Sequence, residues 1–178
     1  MKKILKWGGI AFVVLIIIGA ISSAGSGNPE KVGSNETSSN TSQTEPEKGK
    51  TKVFKIGDSV NLDGKTVTVN EVKPYTSKNQ FLVPEPGNKF VALDITLRND
   101  SDEAYNYNVL EFKLQDNQDY SYTNAVADIE PYLATGAIQQ GQSARGFIAY
   151  EIPSENEPVK LIYTPSFWGT SQIIVELE

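Results

Sequence analysis

The stretch KFVALDITLRND, residues 89–100, decides the fold. Val91, Leu93, Ile95 and Leu97 alternate with Ala92, Asp94, Thr96 and Arg98, a spacing of two that gives an extended chain one apolar face and gives a helix no stripe. Asn99-Asp100 then ends the strand with residues that favour turns. The same spacing recurs outward from it. Leu110, Phe112 and Leu114 alternate with Glu111 and Lys113, Ile148, Tyr150 and Ile152 with Ala149 and Glu151, and Ile173 and Val175 with Ile174 and Glu176. Shorter β segments are predicted at 52–56, 66–72, 120–123 and 159–164, punctuated by turn signals at Asp63-Gly64, Pro86-Gly87-Asn88 and Asp116-Asn117-Gln118-Asp119. Only Val126 to Ala134 reads as a short turn of helix, broken by Pro131. About seven to nine short antiparallel strands indicate an all-β sandwich or barrel.

Composition limits the chemistry. The 178 residues include no histidine and no cysteine, and the single methionine is the initiator. Disulfides, thiol catalysis and imidazole catalysis are excluded, and zinc, haem and copper lose their usual ligands. No cofactor is expected. Lys plus Arg total 16 against 22 Asp plus Glu, a net charge of -6. The region after the basic N-terminus is more acidic still, so nucleic acid is not an expected partner. No Gly-x-Ser-x-Gly elbow or Ser-x-x-Lys pattern occurs, and the acidic residues are scattered over predicted loops. The expectation is therefore a protein that is not an enzyme.

The N-terminus fixes the expected compartment. Lys2, Lys3 and Lys6 precede a stretch from Trp7 to Ala24 without charge, an export signal. Its dense apolar part, Ile10 to Ile21, suits a cleavable signal peptide, with Ser22 and Ala24 as small residues before cleavage. The whole uncharged stretch would reach roughly 27 Å as a helix, close to the bilayer core, so a retained single-pass anchor fits equally. Residues 1–24 are thus read as a signal peptide or signal-anchor transmembrane helix. The adjacent lysines place the remainder outside the cell, membrane-anchored or secreted. A thioether lipid anchor is excluded without cysteine. Residues 25–51, rich in Ser, Thr, Asn, Gly, Glu and Lys, read as a disordered polar linker, and residues 52–178 as the folded domain.

KIGDSV at 55–60, TVTVNEV at 66–72, KFVALDITLRND at 89–100, GQSARGFIAYEIP at 141–153 and LIYTP at 161–165 resemble the serial motifs of an uncharacterised Ig-like domain family. That family, a domain of unknown function, occurs on surface proteins and lipoproteins of Gram-positive bacteria. It is related in fold to a secreted mycobacterial immunogenic antigen. The resemblance implies an immunoglobulin-like antiparallel β-sandwich behind an anchor and a polar linker. It brings no activity and no functional residues.

Tyrosine offers a binding hypothesis. If Leu110, Phe112 and Leu114 face the core, alternation puts Tyr105 and Tyr107 on the wetter face of the same strand, and a hairpin brings Tyr120 and Tyr122 alongside. Aromatic rings stack on sugars and protein surfaces at low entropic cost. Trp168, in a predicted loop, is a further anchor residue. Asp100, Asp102, Asn106, Asn108 and Glu111 match part of a calcium-loop register. Ala104 and Tyr105 stand where that loop needs a ligand and a glycine, so Asp100, Asp102 and Glu111 form only a weak calcium candidate. The expected function is a non-catalytic, surface-tethered binding module for cell-wall glycan or an envelope protein. The alternative is a passive surface or stress-associated structural protein with no tight ligand.

Overall fold

The computed structural model describes residues 29–34, 52–165 and 171–178. The expected export segment, most of the expected linker and Trp168 lie outside the described residues. Among the described residues no helix is long and apolar enough to cross a membrane.

In chain order the strands are β1 (Glu30–Ser34), β2 (Val53–Lys55), β3 (Asp58–Leu62), β4 (Lys65–Tyr75), β5 (Asn88–Asn99), β6 (Tyr105–Tyr107), β7 (Phe112–Asp116), β8 (Ser121–Tyr122), β9 (Gly136–Ile138), β10 (Ser143–Pro153), β11 (Pro158–Tyr163) and β12 (Ile173–Glu176). One sheet has the order β1-β3-β4-β5-β10, the second β2-β12-β11-β7-β8, and β6 pairs with β9 in a small third sheet. The pairings are antiparallel except β2, which joins β12 in parallel. That pair departs from the wholly antiparallel sandwich expected.

β5 lies inside the first sheet, between β4 and β10, and its inward residues are large. Val91, Leu93, Ile95 and Leu97 pack inward with Val67, Val69, Ile148 and Tyr150 from the flanking strands. Across the core they meet Phe112, Leu114, Leu161, Tyr163, Ile173 and Val175 of the second sheet, as two inner faces of a sandwich must. Asp63 and Gly64, at φ 52° and 77°, make the tight β3–β4 turn, which needs two residues in the left-handed region. At the far end of β5 the fully buried Asn99 donates to the carbonyls of Glu103 and Ile138, and so ties the strand to β9.

Two expectations change here. Glu30–Ser34, inside the stretch read as a linker, is an edge strand on β3. Val126 to Ala134 contains no helix. It is an extended loop over the outer face of β5 and β10, held where Leu133 N donates to Phe147 O and Phe147 N donates to Pro131 O, each at 2.8 Å. Ala92 and Ala149 are registered partners, small enough on that outer face for Ile129 to pack on them.

Candidate functional site

The β7–β8 hairpin turns at the sequence Asp116-Asn117-Gln118-Asp119, as its residue types predict, with Asp119 at φ 64°. Asp116 ends β7 with its side chain pointing inward and fully buried. One carboxylate oxygen accepts from the backbone N–H of Gln118 and of Tyr120, both at 2.9 Å. The other accepts from the Tyr122 hydroxyl and from Asn156 Nδ2, both at 2.6 Å. Burial pushes the Asp116 carboxyl up, but these four hydrogen bonds outweigh it and hold the group below its ordinary value. Burial and the Asp116 bond raise the Tyr122 hydroxyl correspondingly. The β10–β11 turn is drawn in by the same contacts, with Asn117 N donating to Glu157 O at 2.9 Å.

The four residues that bond Asp116 all line one open concavity of about 700 Å³, completed by Pro153 and Glu155. Tyr120 is 66% exposed there, whereas Tyr122 is half-buried and Asn156 is buried. Asp116 therefore acts from below as a positioning residue. It anchors the backbone that carries one exposed aromatic ring, Tyr120, beside amide, hydroxyl and carboxylate groups, the set that stacks on and hydrogen-bonds to a sugar.

A second concavity, about 480 Å³, lies beneath the loop that crosses β5 and β10. Its lining is largely apolar, including Ile129, Leu133, Phe147 and Ala149, with Val126 and Tyr132 exposed along it. Beside it, Gly146 lets the loop pass close over β10. A Cβ built there would lie 2.6 Å from Leu133 N and 2.7 Å from the Tyr132 carbonyl carbon, so only glycine allows the loop backbone this close.

The tyrosine strip expected from the sequence does not form. Tyr120 and Tyr122 meet in the hairpin concavity, but Tyr105 and Tyr107 belong to the core, at 9% and 7% exposure. The reason is a three-residue 3-10 helix, Val109–Glu111, between β6 and β7. It resets the phase of the chain, so the alternation that buries Phe112 and Leu114 cannot be carried back to Tyr105. Leu110 consequently turns outward, at 47% exposure. A capping box closes this turn, with Asn108 Oδ1 accepting from Leu110 N and Glu111 Oε2 accepting from Asn108 N.

The weak calcium candidate is likewise dispersed. Asp100 accepts from Thr66 Oγ1 and Arg98 Nε, both at 2.6 Å, Asp102 accepts from Gln140 at 3.3 Å, and Glu111 serves the capping box. Among the described residues no group of three or more acidic side chains converges as a metal site would require.

The sequence identified the hairpin but missed Asn156 and Glu155. They reach the concavity from a turn remote in sequence, and no local pattern marks them. The apolar concavity carried one readable sign, the small residues Ala92 and Ala149 on an outward face.

Solved structures agree with the sandwich. The yjhA protein from Bacillus subtilis aligns over 70% of this chain and 99% of its own, with a TM-score of 0.56 and 21% identity. The secreted protein MPT63 from Mycobacterium tuberculosis aligns over 70% of this chain and 95% of its own, with a TM-score of 0.55 and 14% identity. At such identities the likeness shows the fold alone. No curated protein matches. A family model described as a domain of unknown function, DUF4352, matches residues 54–173.

Proposed function

The chain belongs to the DUF4352 family, and from that premise we propose that it is an extracytoplasmic, non-catalytic binding module whose hairpin concavity recognises cell-wall glycan. The observation that carries this reading is Asp116, a buried carboxylate whose four hydrogen bonds all go to residues lining one concavity. A neutral glycan suits the site better than an anionic polymer, because the protein is acidic, with a pI near 4.8.

Residues 1–24 supply the export signal and, if retained, the membrane anchor. The description of MPT63 as secreted accords with that placement. With Glu30–Ser34 paired to β3, only residues 25–29 separate the domain from such an anchor, and five residues span at most about 18 Å. The domain is then held close to the membrane beneath the wall.

The test is co-sedimentation of the chain from Gly25 onward with insoluble Gram-positive sacculi at physiological and at high salt. Pelleting that survives salt and falls several-fold in Tyr120→Ala, with an unchanged Tm, supports an aromatic glycan site, since such a ring is worth about 0.5–1.5 kcal/mol. Equal pelleting of both proteins overturns it. The alternative, a passive surface protein, gains support from the burial of Tyr105 and Tyr107, which removes half of the aromatic strip. Absence of any pelleting would favour that alternative.

A further inference from the structure

β1 is weakly held for a strand that covers a sheet edge. The side chains of Glu30, Lys31 and Val32 are exposed and Gly33 has none, and Val32 is 58% exposed. The attachment to β3 is a short antiparallel ladder from Glu30 opposite Asn61 to Ser34 opposite Asp58, interrupted between Lys31 and Gly33. One ion pair supplements it, from the exposed Lys31 Nζ to the buried Asp58 at 2.6 Å, and Asp58 has a second partner outside β1, the Lys55 N–H at 3.1 Å, so it does not depend on Lys31 alone.

β3 behind it is firmly built. Val60 and Leu62 are in the core, and Ser59 and Asn61 bond Thr68 and Thr66 of β4. When β1 lifts, β3 keeps its shape and presents a row of unpaired N–H and C=O groups, an edge that attracts an extended chain. The segment that fits this edge in register, direction and charge is Glu30–Ser34 itself.

We propose that the β3 edge is a docking surface for β1 of a second copy of this chain, so that two chains exchange their N-terminal strands. Each exchanged strand remakes the ladder and the Lys31–Asp58 ion pair that it left. The balance between closed monomer and exchanged dimer is then set by the connection between β1 and β2. Covalent attachment gives a strand an effective concentration for its own chain on the order of millimolar. Chains crowded on a surface compete with that value. Reciprocal exchange leaves neither β3 edge open and closes a two-fold dimer.

The protein has no native cysteine, so introduced thiols report cleanly. A Cβ at Gly33 would lie 4.0 Å from the Cβ of Ser59, within the roughly 3.5–4.5 Å that a disulfide spans. The full chain is prepared in detergent at one chain per micelle, and a glutathione redox buffer is used. The double variant Gly33→Cys, Ser59→Cys forms its bond within one chain if β1 pairs at all. The two single variants are then mixed at high concentration. The expected product is a dimer joined by a disulfide between the two substituted positions, about tenfold above a Gly33→Cys and Ser154→Cys mixture that measures random collision. Lys31→Glu in the Gly33→Cys chain puts like charge against Asp58 and lowers the yield. Crosslinking in the double variant with no excess over the collision control in the mixture overturns the proposal. Failure of the double variant to crosslink also overturns it, by showing that β1 does not hold this register.

Discussion

Asp116 and Asn156 stand forty positions apart in sequence and meet through a 2.6 Å hydrogen bond in which the buried amide of Asn156 donates to the buried carboxylate. That bond fastens the β7–β8 hairpin to the β10–β11 turn, and the proposed glycan site lies over the join.

Replacing Asp116 therefore costs stability even where the shape is kept. In Asp116→Asn an amide must face two of the four donors with a donor of its own, a loss of about 1–3 kcal/mol. Asp116→Ala leaves more donors unpaired and costs more. Urea unfolding at neutral pH measures both. Combined with Tyr122→Phe, Asp116→Asn should give a loss smaller than the sum, because both remove one shared bond. Additive losses would mean that the 2.6 Å contact with Tyr122 contributes nothing.

Acid should act in two opposed stages. Glu111 is raised above its ordinary 4.5 chiefly by burial, against the Asn108 N–H and Lys65. The folded state binds that proton more tightly, so stability rises slightly as pH falls through the folded value of Glu111. Asp94 is lowered by Arg145, against burial and with help from Asn70, and Asp100 by Thr66, against burial and with help from Arg98. Asp116 is lowered as well. The stability these three contribute is present above the ordinary 3.8 and is lost as pH falls below it toward their folded values. Urea midpoints between about pH 7 and about pH 2.5 should thus pass through a shallow maximum. Glu111→Gln should abolish the rise and leave the acid loss.

The core tyrosines separate ring from hydroxyl. Tyr163 stacks on Phe112 with ring centroids 4.3 Å apart, and its buried hydroxyl has no partner among the described residues, nor has that of Tyr105. Tyr163→Ala should cost about 3–5 kcal/mol. Tyr163→Phe and Tyr105→Phe should be neutral or stabilising by up to about 1 kcal/mol, since each removes a desolvated hydroxyl. Thermal unfolding of the four variants, with Tyr105→Ala as the fourth, checks this. A large loss in either Phe variant would reveal a hydroxyl partner.

Gly146→Ala tests the loop crossing. The added methyl would press on the backbone of Tyr132 and Leu133, which cannot yield without breaking the bonds to Phe147. A loss of about 1–3 kcal/mol is expected, together with faster proteolysis between residues 124 and 135. Unchanged protection of that loop would mean that the strand itself moves aside.

Sequence alone determined the strands whose period is uninterrupted. In β5 each step of two residues returns to the same face, so Val91, Leu93, Ile95 and Leu97 identify the core without reference to any neighbour. The Asp63-Gly64 and Asp116–Asp119 turns were equally local, because the left-handed backbone they need selects their residues. The absence of cysteine and histidine settled which chemistries are closed to this chain.

Tertiary structure decided what depends on partners remote in sequence. Whether Tyr105 and Tyr107 face water or core turns on a three-residue 3-10 helix that shifts the phase by an amount no alternation rule carries. Whether Glu30–Ser34 is linker or strand turns on the open edge of β3, which supplies hydrogen bonds to a segment with almost nothing to bury. The concavity over Asp116 exists only because Asn156 arrives from another turn. Local periodicity encodes a face, but a site is made where separate faces meet, and that meeting is set by long-range packing.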